Sequence, residues 1–385
     1  MRTVIVGCGY VADYYLHNIR SHRSFEVVGV VDVDARRLAA FCAHYRARPL
    51  ASLKDALEDP TVELILNLTN PRSHFEVTSA ALRAGKHVYS EKPLGMSGEE
   101  SQALAELAVA HGVRLATAPC HVLSESAQEL ARALAAGVIG RPTLVYANFD
   151  DGMIAPHEKP WTWLSESGAP WPAKDEFEIG CTYEHAGYCL SLLAGLFGPA
   201  RSVTAFSSTH VPDKGIEVAS MAPDFSLGAI RYDEGVVARV TIGLVAPFDK
   251  SLTVVGSEGA LRIRHLRDDR EPLEIINRSG ARHFLRRLGR KLDVRMGEFG
   301  NWRVYKRPTG PPFTHAGKHN PVDYFRGPQD LSDAIREGRP HRLSAELGVH
   351  VVEIMEALQY PERYGHHRLI STGFTPLRLT ELGST

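Results

Sequence analysis

Thr3-Val4-Ile5-Val6-Gly7-Cys8-Gly9-Tyr10-Val11-Ala12 is the stretch that decides the fold. Its first part is an apolar run, as expected of a strand buried on both faces. Its second part is GxGxxG with alanine as the third small residue. Gly7 permits a tight turn, Gly9 lets the backbone approach a pyrophosphate, and Ala12 lets the following helix pack closely on the strand. Tyr10 and Val11 sit inside that loop. The helix, expected from Asp13 to Ser21, points its N-terminus at the phosphates. A glycine pattern alone is weak, but here a strand precedes it and a helical stretch follows.

Moving outward, Val27 to Asp32 reads as the next strand. Asp32 ends it twenty positions after Ala12, near the spacing of an acid that binds the adenosine ribose. A carboxylate there favours NAD over NADP by repelling a 2′-phosphate. Arg36 and Arg37 could soften that preference, but they read as exposed positions on the following helix. Val62 to Leu68 is a third strand running into Thr69-Asn70-Pro71, with His74 opening another helix; this turn should wall the nicotinamide half of the cofactor. Helix Phe75 to Ala84 leads through Gly85 to the strand Lys86 to Tyr89 and then to Ser90-Glu91-Lys92-Pro93. Pro93 lacks an N–H and biases Lys92 away from helical geometry, so Lys92 is presented at a strand end, with Glu91 beside it. Ligands of open parallel sheets bind at such ends. Helix Gly98 to His111 and strand Val113 to Thr117 follow. The alternation is that of a doubly wound parallel sheet, a Rossmann domain over residues 1–118.

The remainder, 119–385, is long enough for a second domain. Strands are expected over 142–149, 202–207, 225–232, 236–244 and 251–256, with helices over 328–337 and 344–358. The chain is 44% hydrophobic and 23% charged, with a net charge of -1, which argues against a nucleic-acid binder. No apolar run approaches a bilayer span, and the first strand begins at Arg2, leaving no room for a signal peptide. Five scattered cysteines (Cys8, Cys42, Cys120, Cys181, Cys189) argue for reduced thiols and a cytoplasmic protein. No histidine spacing forces a metal site.

The glycine turn, the acid ending the second strand, the Thr-x-Pro-x-x-His turn and the Glu-Lys-Pro strand end occur in the order that resembles the glucose–fructose oxidoreductase / inositol dehydrogenase / rhizopine-catabolism family. The resemblance covers nearly the whole chain. It implies a Rossmann domain followed by an α+β domain with a large open, mostly antiparallel sheet. It also implies a nicotinamide cofactor, a sugar, cyclitol or sugar-derivative substrate, and a homodimer or homotetramer. The family's catalytic lysine falls on Lys92. Its helix signature Asp-x-Gly-x-His meets a departure: with the register fixed by Leu196-Phe197-Gly198-Pro199, Glu184 stands at the Asp, Ala186 at the Gly and Tyr188 at the His. Glu184 and Tyr188 share a helix face, with His185 close to it as a rival acid/base. A neighbouring Lys92 ammonium and bound NAD⁺ are expected to lower the Tyr188 pKa towards a phenolate. The resemblance also admits an NAD-assisted glycoside hydrolase and a non-catalytic sensor, against which Lys92 argues.

Two segments fall outside that pattern. Residues 150–177 carry Trp161, Trp163 and Trp171, either a platform for a sugar ring or a small satellite core or oligomer contact. Residues 282–318 are strongly basic, either a clamp for a phosphorylated or nucleotide-linked substrate or a solvated insertion or subunit contact.

Overall fold

Strands β1 (Arg2–Val6), β2 (Glu26–Val31), β3 (Leu64–Asn67), β4 (His87–Ser90) and β5 (Leu115–Thr117) form parallel sheet A in the order β2-β1-β3-β4-β5. The computed structural model describes residues 1–154, 158–277, 302–306 and 321–381. Val4, Ile5, Leu64, Ile65 and Leu66 are fully buried, which is why these strands read as unbroken apolar runs. Helices α1 (Tyr10–Ile19), α2 (Ala35–Tyr45), α3 (Leu53–Glu58), α4 (His74–Arg83) and α5 (Gly98–Ala110) connect them. Side-chain N-caps at Asp34, Ser52 and Ser97 start three of these helices. The chain passes from β1 outward to β2 and then returns to β3 on the other side. The ends of β1 and β3 therefore bound the crevice where such sheets take ligands.

Helix α6 (Glu125–Ala135) leads to a nine-stranded sheet B. Its strands are β6 (Pro142–Asp150), β7 (Ser202–Ser208), β8 (Phe225–Arg231), β9 (Val237–Gly243), β10 (Leu252–Gly256), β11 (Gly259–Ile263), β12 (Leu273–Asn277), β13 (Arg303–Lys306) and β14 (His367–Leu369). The order is β13-β12-β11-β10-β6-β9-β8-β7-β14, antiparallel except for the β6–β9 pair. Helices α7 (Ala173–Ile179), α8 (Cys181–Phe197), α9 (Arg326–Glu337) and α10 (Ala345–Gln359) complete the described helices used below. Helix α8 packs on β6, β8 and β9, and α10 on β7, β8 and α8. Residues 181–194 are all buried, since α8 lies between the sheet and the rest of the molecule. Among the described residues nothing covers the opposite face of sheet B, where Leu144, Tyr146, Phe206, Leu227 and Leu369 are exposed.

The chain after residue 321 returns to sheet A. Tyr324 stacks on Tyr14 and meets Tyr15 edge-on, and Phe325 packs on Phe25 at 4.8 Å between centroids. The Tyr324 N–H donates to Asn18 Oδ1 at 2.9 Å. A Cβ at Gly327 would lie 2.4 Å from the Tyr89 hydroxyl, so this close approach of α9 to β4 requires glycine. Beyond it, Ser344 bridges to Ala116 and the Thr117 N–H donates to the Leu343 carbonyl.

Candidate active site

At the end of β1, Gly7 has φ +99°, and a Cβ there would sit 2.6 Å from the Leu68 carbonyl oxygen. Only glycine fits. A Cβ at Gly9 would meet nothing within 4 Å. That open space lies directly before α1, whose N-terminus has no side-chain cap; the Ala12 N–H donates to the Gly9 carbonyl at 3.0 Å, and the N–H groups of Tyr10 and Val11 are placed for an anion. Ala12 is fully buried against the sheet; Tyr10 lies edge-on to Tyr14 at 5.8 Å, and Val11 is partly buried. The loop thus fits the pyrophosphate of a dinucleotide.

Asp32 follows β2 with its side chain 3% exposed. The N–H groups of Cys8 and Asp34 donate to it at 2.7 and 2.8 Å, and Arg37 grips it from Nε at 3.0 Å and Nη2 at 2.8 Å. Burial works against the charge, but Arg37 and the two backbone donors overcome it and hold the carboxyl below its ordinary pKa. The expectation of an outward Arg37 is therefore corrected: a buried carboxylate needs partners, and Arg37 supplies the nearest guanidinium. A ribose hydroxyl has to share or displace that contact. Arg36 is exposed, as expected.

On the nicotinamide side, the Thr69 hydroxyl donates to Asn67 Oδ1, and Asn70 and Arg72 reach Asp175 across the cleft, joining the Pro71–Ser73 turn to α7. His74 is fully buried, with Nδ1 2.6 Å from the Pro93 carbonyl and Nε2 3.0 Å from that of Thr69. With both ring nitrogens on backbone, it ties the turns at Thr69 and Pro93 together. Glu91 accepts the Tyr15 hydroxyl at 2.7 Å and the Lys92 N–H at 3.0 Å. Tyr15 escaped sequence reading because only its pairing with a residue 76 positions away gives it meaning.

Lys92 Nζ lies 2.6 Å from Glu184 Oε2, an ion pair running from the end of β4 to α8. Burial is the largest influence and opposes the ammonium, but Glu184, Tyr188, Glu176 and Glu91 together overcome it, and the lysine pKa stands above its usual value. Tyr188, one turn on from Glu184, stacks on Phe149 at 4.9 Å and has the Arg267 guanidinium 5.2 Å from its ring centre. Burial pushes its phenol up; Arg267 and Lys92 pull the other way without prevailing. This corrects the expected phenolate, because desolvation outweighs the neighbouring cations. His185 Nε2 lies 3.6 Å from Glu176 and 3.7 Å from Asp151, and burial lowers its pKa to about 3. Burial, then the charge of Glu184, push Glu176 well above the ordinary carboxylate range.

The polar groups beneath this pair were not legible one by one. Asp151 follows β6, Glu176 is on α7, Lys250 precedes β10 and Arg267 follows β11. Lys250 pairs with Asp151, and burial lowers its pKa to about 8. The signal that could have found Asp151, Lys250 and Arg267 is their place at strand ends on one edge of sheet B. The tryptophans resolve toward the satellite core: Trp163 meets Trp171 edge-on at 5.5 Å, Trp171 meets Phe177, and Trp161 underlies Gly215. Within 282–318 only residues 302–306 are described, so the basic segment as a whole lies outside the described residues. There, Lys306 pairs with Glu129 at 2.8 Å. Among the described residues no His, Cys, Asp and Glu side chains group to hold a metal, and no helix is long and apolar enough to cross a membrane.

A glycine loop at a sheet switch point, with a buried ion pair joining Lys92 at the end of β4 to Glu184 on the second domain, defines a two-domain nicotinamide-dependent oxidoreductase. The chain belongs to the GFO/IDH/MocA oxidoreductase family: residues 1–118 match its NAD-binding Rossmann fold and residues 127–262 its C-terminal domain. It is 28% identical over 260 residues to 1,5-anhydro-D-fructose reductase of Ensifer adhaerens, covering 67% of this chain and 74% of that one. It is 24% identical to scyllo-inositol 2-dehydrogenase (NADP(+)) IolW of Bacillus subtilis, covering 81% and 80%. In fold it matches levoglucosan dehydrogenase, solved with NADH and levoglucosan, with TM-score 0.75, 18% identity and 97% and 100% of the chains covered. The WlbA dehydrogenase of Bordetella pertussis, solved with NADH and UDP-GlcNAcA, matches with TM-score 0.70 at 20% identity, covering 96% and 98%.

Proposed function

We propose that this enzyme moves a hydride between NAD and a secondary alcohol or ketone of a sugar, cyclitol or sugar derivative. The observation that carries the reading is the 2.6 Å pair between Lys92 and Glu184. It fixes an ammonium at the edge of the sheet where the cofactor loop opens. Bound NAD(H) supplies or takes the hydride. Lys92 holds the substrate oxygen and stabilises an alkoxide, Glu184 orients Lys92, and Tyr188 donates a proton to that oxygen. His185, neutral and lodged between Asp151 and Glu176, is a positioning residue. Lys92 and Tyr188 both retain their protons near neutrality, so the resting site favours reduction of a carbonyl. Oxidation requires one of them to lose its proton first, and its rate should rise with pH.

Several further assignments go with this reading. Residues 1–118 form the NAD-binding unit and 119–385 the substrate and oligomerisation unit. NAD is the preferred cofactor, with NADP admitted through Arg37. The uncovered face of sheet B joins copies into a homodimer or homotetramer. Five buried, unpaired cysteines support a cytoplasmic setting. A panel of sugars and cyclitols read out by NADH absorbance tests the reading. Turnover that disappears in Lys92→Met while NADH binding persists supports it; unchanged turnover in that variant rejects it.

A further inference from the structure

The three cations on the floor of the cleft are not equivalent. Lys92 has Glu184, and Lys250 has Asp151. Arg267 has no carboxylate within ion-pairing distance among the described residues. Its one hydrogen bond there runs from Nη2 to the Tyr324 hydroxyl at 2.6 Å, and its flat face lies over the Tyr188 ring. Four other half-buried arginines are paired: Arg262 with Glu274, Arg326 with Glu125 and Asp269, Arg342 with Asp330, Arg368 with Glu353 and Glu356.

Asp151 acts on Arg267 through space but is itself bonded to Lys250, so the half-buried guanidinium has no carboxylate of its own and a ligand anion would supply one. Arginine offers five N–H donors in a planar fork that matches a carboxylate, and one donor here is committed to Tyr324. The neighbouring carboxylates do not compete for it. Asp151 is engaged by Lys250, Glu184 by Lys92, and Glu176 is held protonated by its burial and by the charge of Glu184. Position sets the distance from the reaction. Arg267 touches the ring of Tyr188, the residue assigned to the substrate oxygen, so the anion it holds belongs to the carbon skeleton that exchanges the hydride. A phosphate or nucleotide carried on an anomeric oxygen would extend away from that skeleton.

Resting on the dehydrogenase reading above, we propose that the substrate is an acidic sugar, a uronate or aldonate type of molecule, whose carboxylate is held by Arg267 with Tyr324 steadying the guanidinium. The reacting hydroxyl then lies between Lys92 and Tyr188, and the acid group anchors the other end of the ring.

The test uses the full chain saturated with NADH, so that sugar binding is read as a thermal shift or by calorimetry without turnover. The probes are matched pairs: D-glucuronate with D-glucose, D-galacturonate with D-galactose, D-gluconate with D-glucitol, and UDP-glucuronate with UDP-glucose. At least one acid should bind about ten- to a hundredfold tighter than its neutral partner, the usual effect of a charge-assisted pair. Arg267→Gln should remove the preference, and Arg267→Lys should restore part of it while NADH affinity stays unchanged. Absence of any acid preference, including absence of binding by every acid, overturns the proposal. So does equal binding of both UDP-sugars together with weak binding of both free sugars, which assigns the charge to phosphate. Turnover of neutral sugars without acid preference leaves the dehydrogenase reading intact and removes only this one; failure to bind NADH removes both.

Discussion

At the cofactor edge the groups that would meet a dinucleotide come from three short stretches, residues 7–12, 32–37 and 67–74, and they bond largely to backbone: Asp32 to the N–H of Cys8 and Asp34, His74 to the carbonyls of Pro93 and Thr69. On the floor of the cleft, Lys92, Asp151, Glu176, Glu184, Lys250 and Arg267 come from six separate places and interact mainly through side chains. The first region is shaped by local chain geometry, the second by topology. Backbone-bonded sites tolerate little change in geometry; side-chain clusters can be recharged one residue at a time while the scaffold stays. A fold of this kind can therefore keep one cofactor and exchange substrates.

The largest expected effect separates the two regions. Tyr188→Phe and Lys92→Met should each lower kcat by about 10²–10⁴, with NADH affinity by fluorescence titration unchanged. A matching loss of NADH affinity would break the comparison, because the floor would then be part of the cofactor site. His185→Ala serves as the control: collapse there beside near-normal Tyr188→Phe would transfer the proton role to His185.

Next in size is the cross-cleft pair. Glu184→Gln strands a buried ammonium and should destabilise the protein by about 3–5 kcal/mol in denaturant unfolding. Adding Lys92→Met should recover part of that loss, so the double change costs less than the sum. Strict additivity would mean that the two groups do not act as a unit.

A smaller effect belongs to the cofactor edge. Arg37→Ala frees Asp32 for the ribose and removes a cation near the 2′ position. NAD should tighten relative to NADP by about tenfold in calorimetric titration, while Asp32→Ala should narrow the gap between them. If Arg37→Ala moves the ratio toward NADP, the Asp32–Arg37 contact does not govern cofactor choice.

The smallest effect is distant from both regions. His350 is fully buried, accepting the Ala200 N–H on Nε2, and burial lowers its pKa to about 4. An unfolded histidine titrates near 6.5, so between about pH 6.5 and 4 the unfolded chain binds a proton that the folded one refuses. The contribution is therefore intact above pH 6.5 and lost as the pH falls. The stability of the wild type relative to His350→Gln should decline over that window by up to about 1.4 kcal/mol per pH unit; a flat difference would show His350 protonated in the fold.

Legibility followed the same division. The glycine turn, Asp32, the Thr69 turn and Glu91-Lys92-Pro93 could be picked out because each stands in a recognisable pattern of neighbours in sequence. Glu184 and Tyr188 could be read because a helix has a fixed period and Gly198 sets the register. Arg267, Asp151 and Lys250 carry no local signature; they acquire one only when sheet B brings the ends of β6, β10 and β11 to a single edge. The phenol of Tyr188 was misjudged because a sequence displays charges but not burial, and burial decided its proton.

The return of residues 321–345 to sheet A also bears on how the protein is made. Tyr15, Phe25 and Tyr89 receive their covering from Tyr324, Phe325 and Gly327. A ribosome adding about 5–20 residues per second needs roughly 10–40 s to travel from the end of β5 to that segment. Throughout that interval the nascent nucleotide-binding domain lacks the aromatic cover that the distant part of the chain supplies.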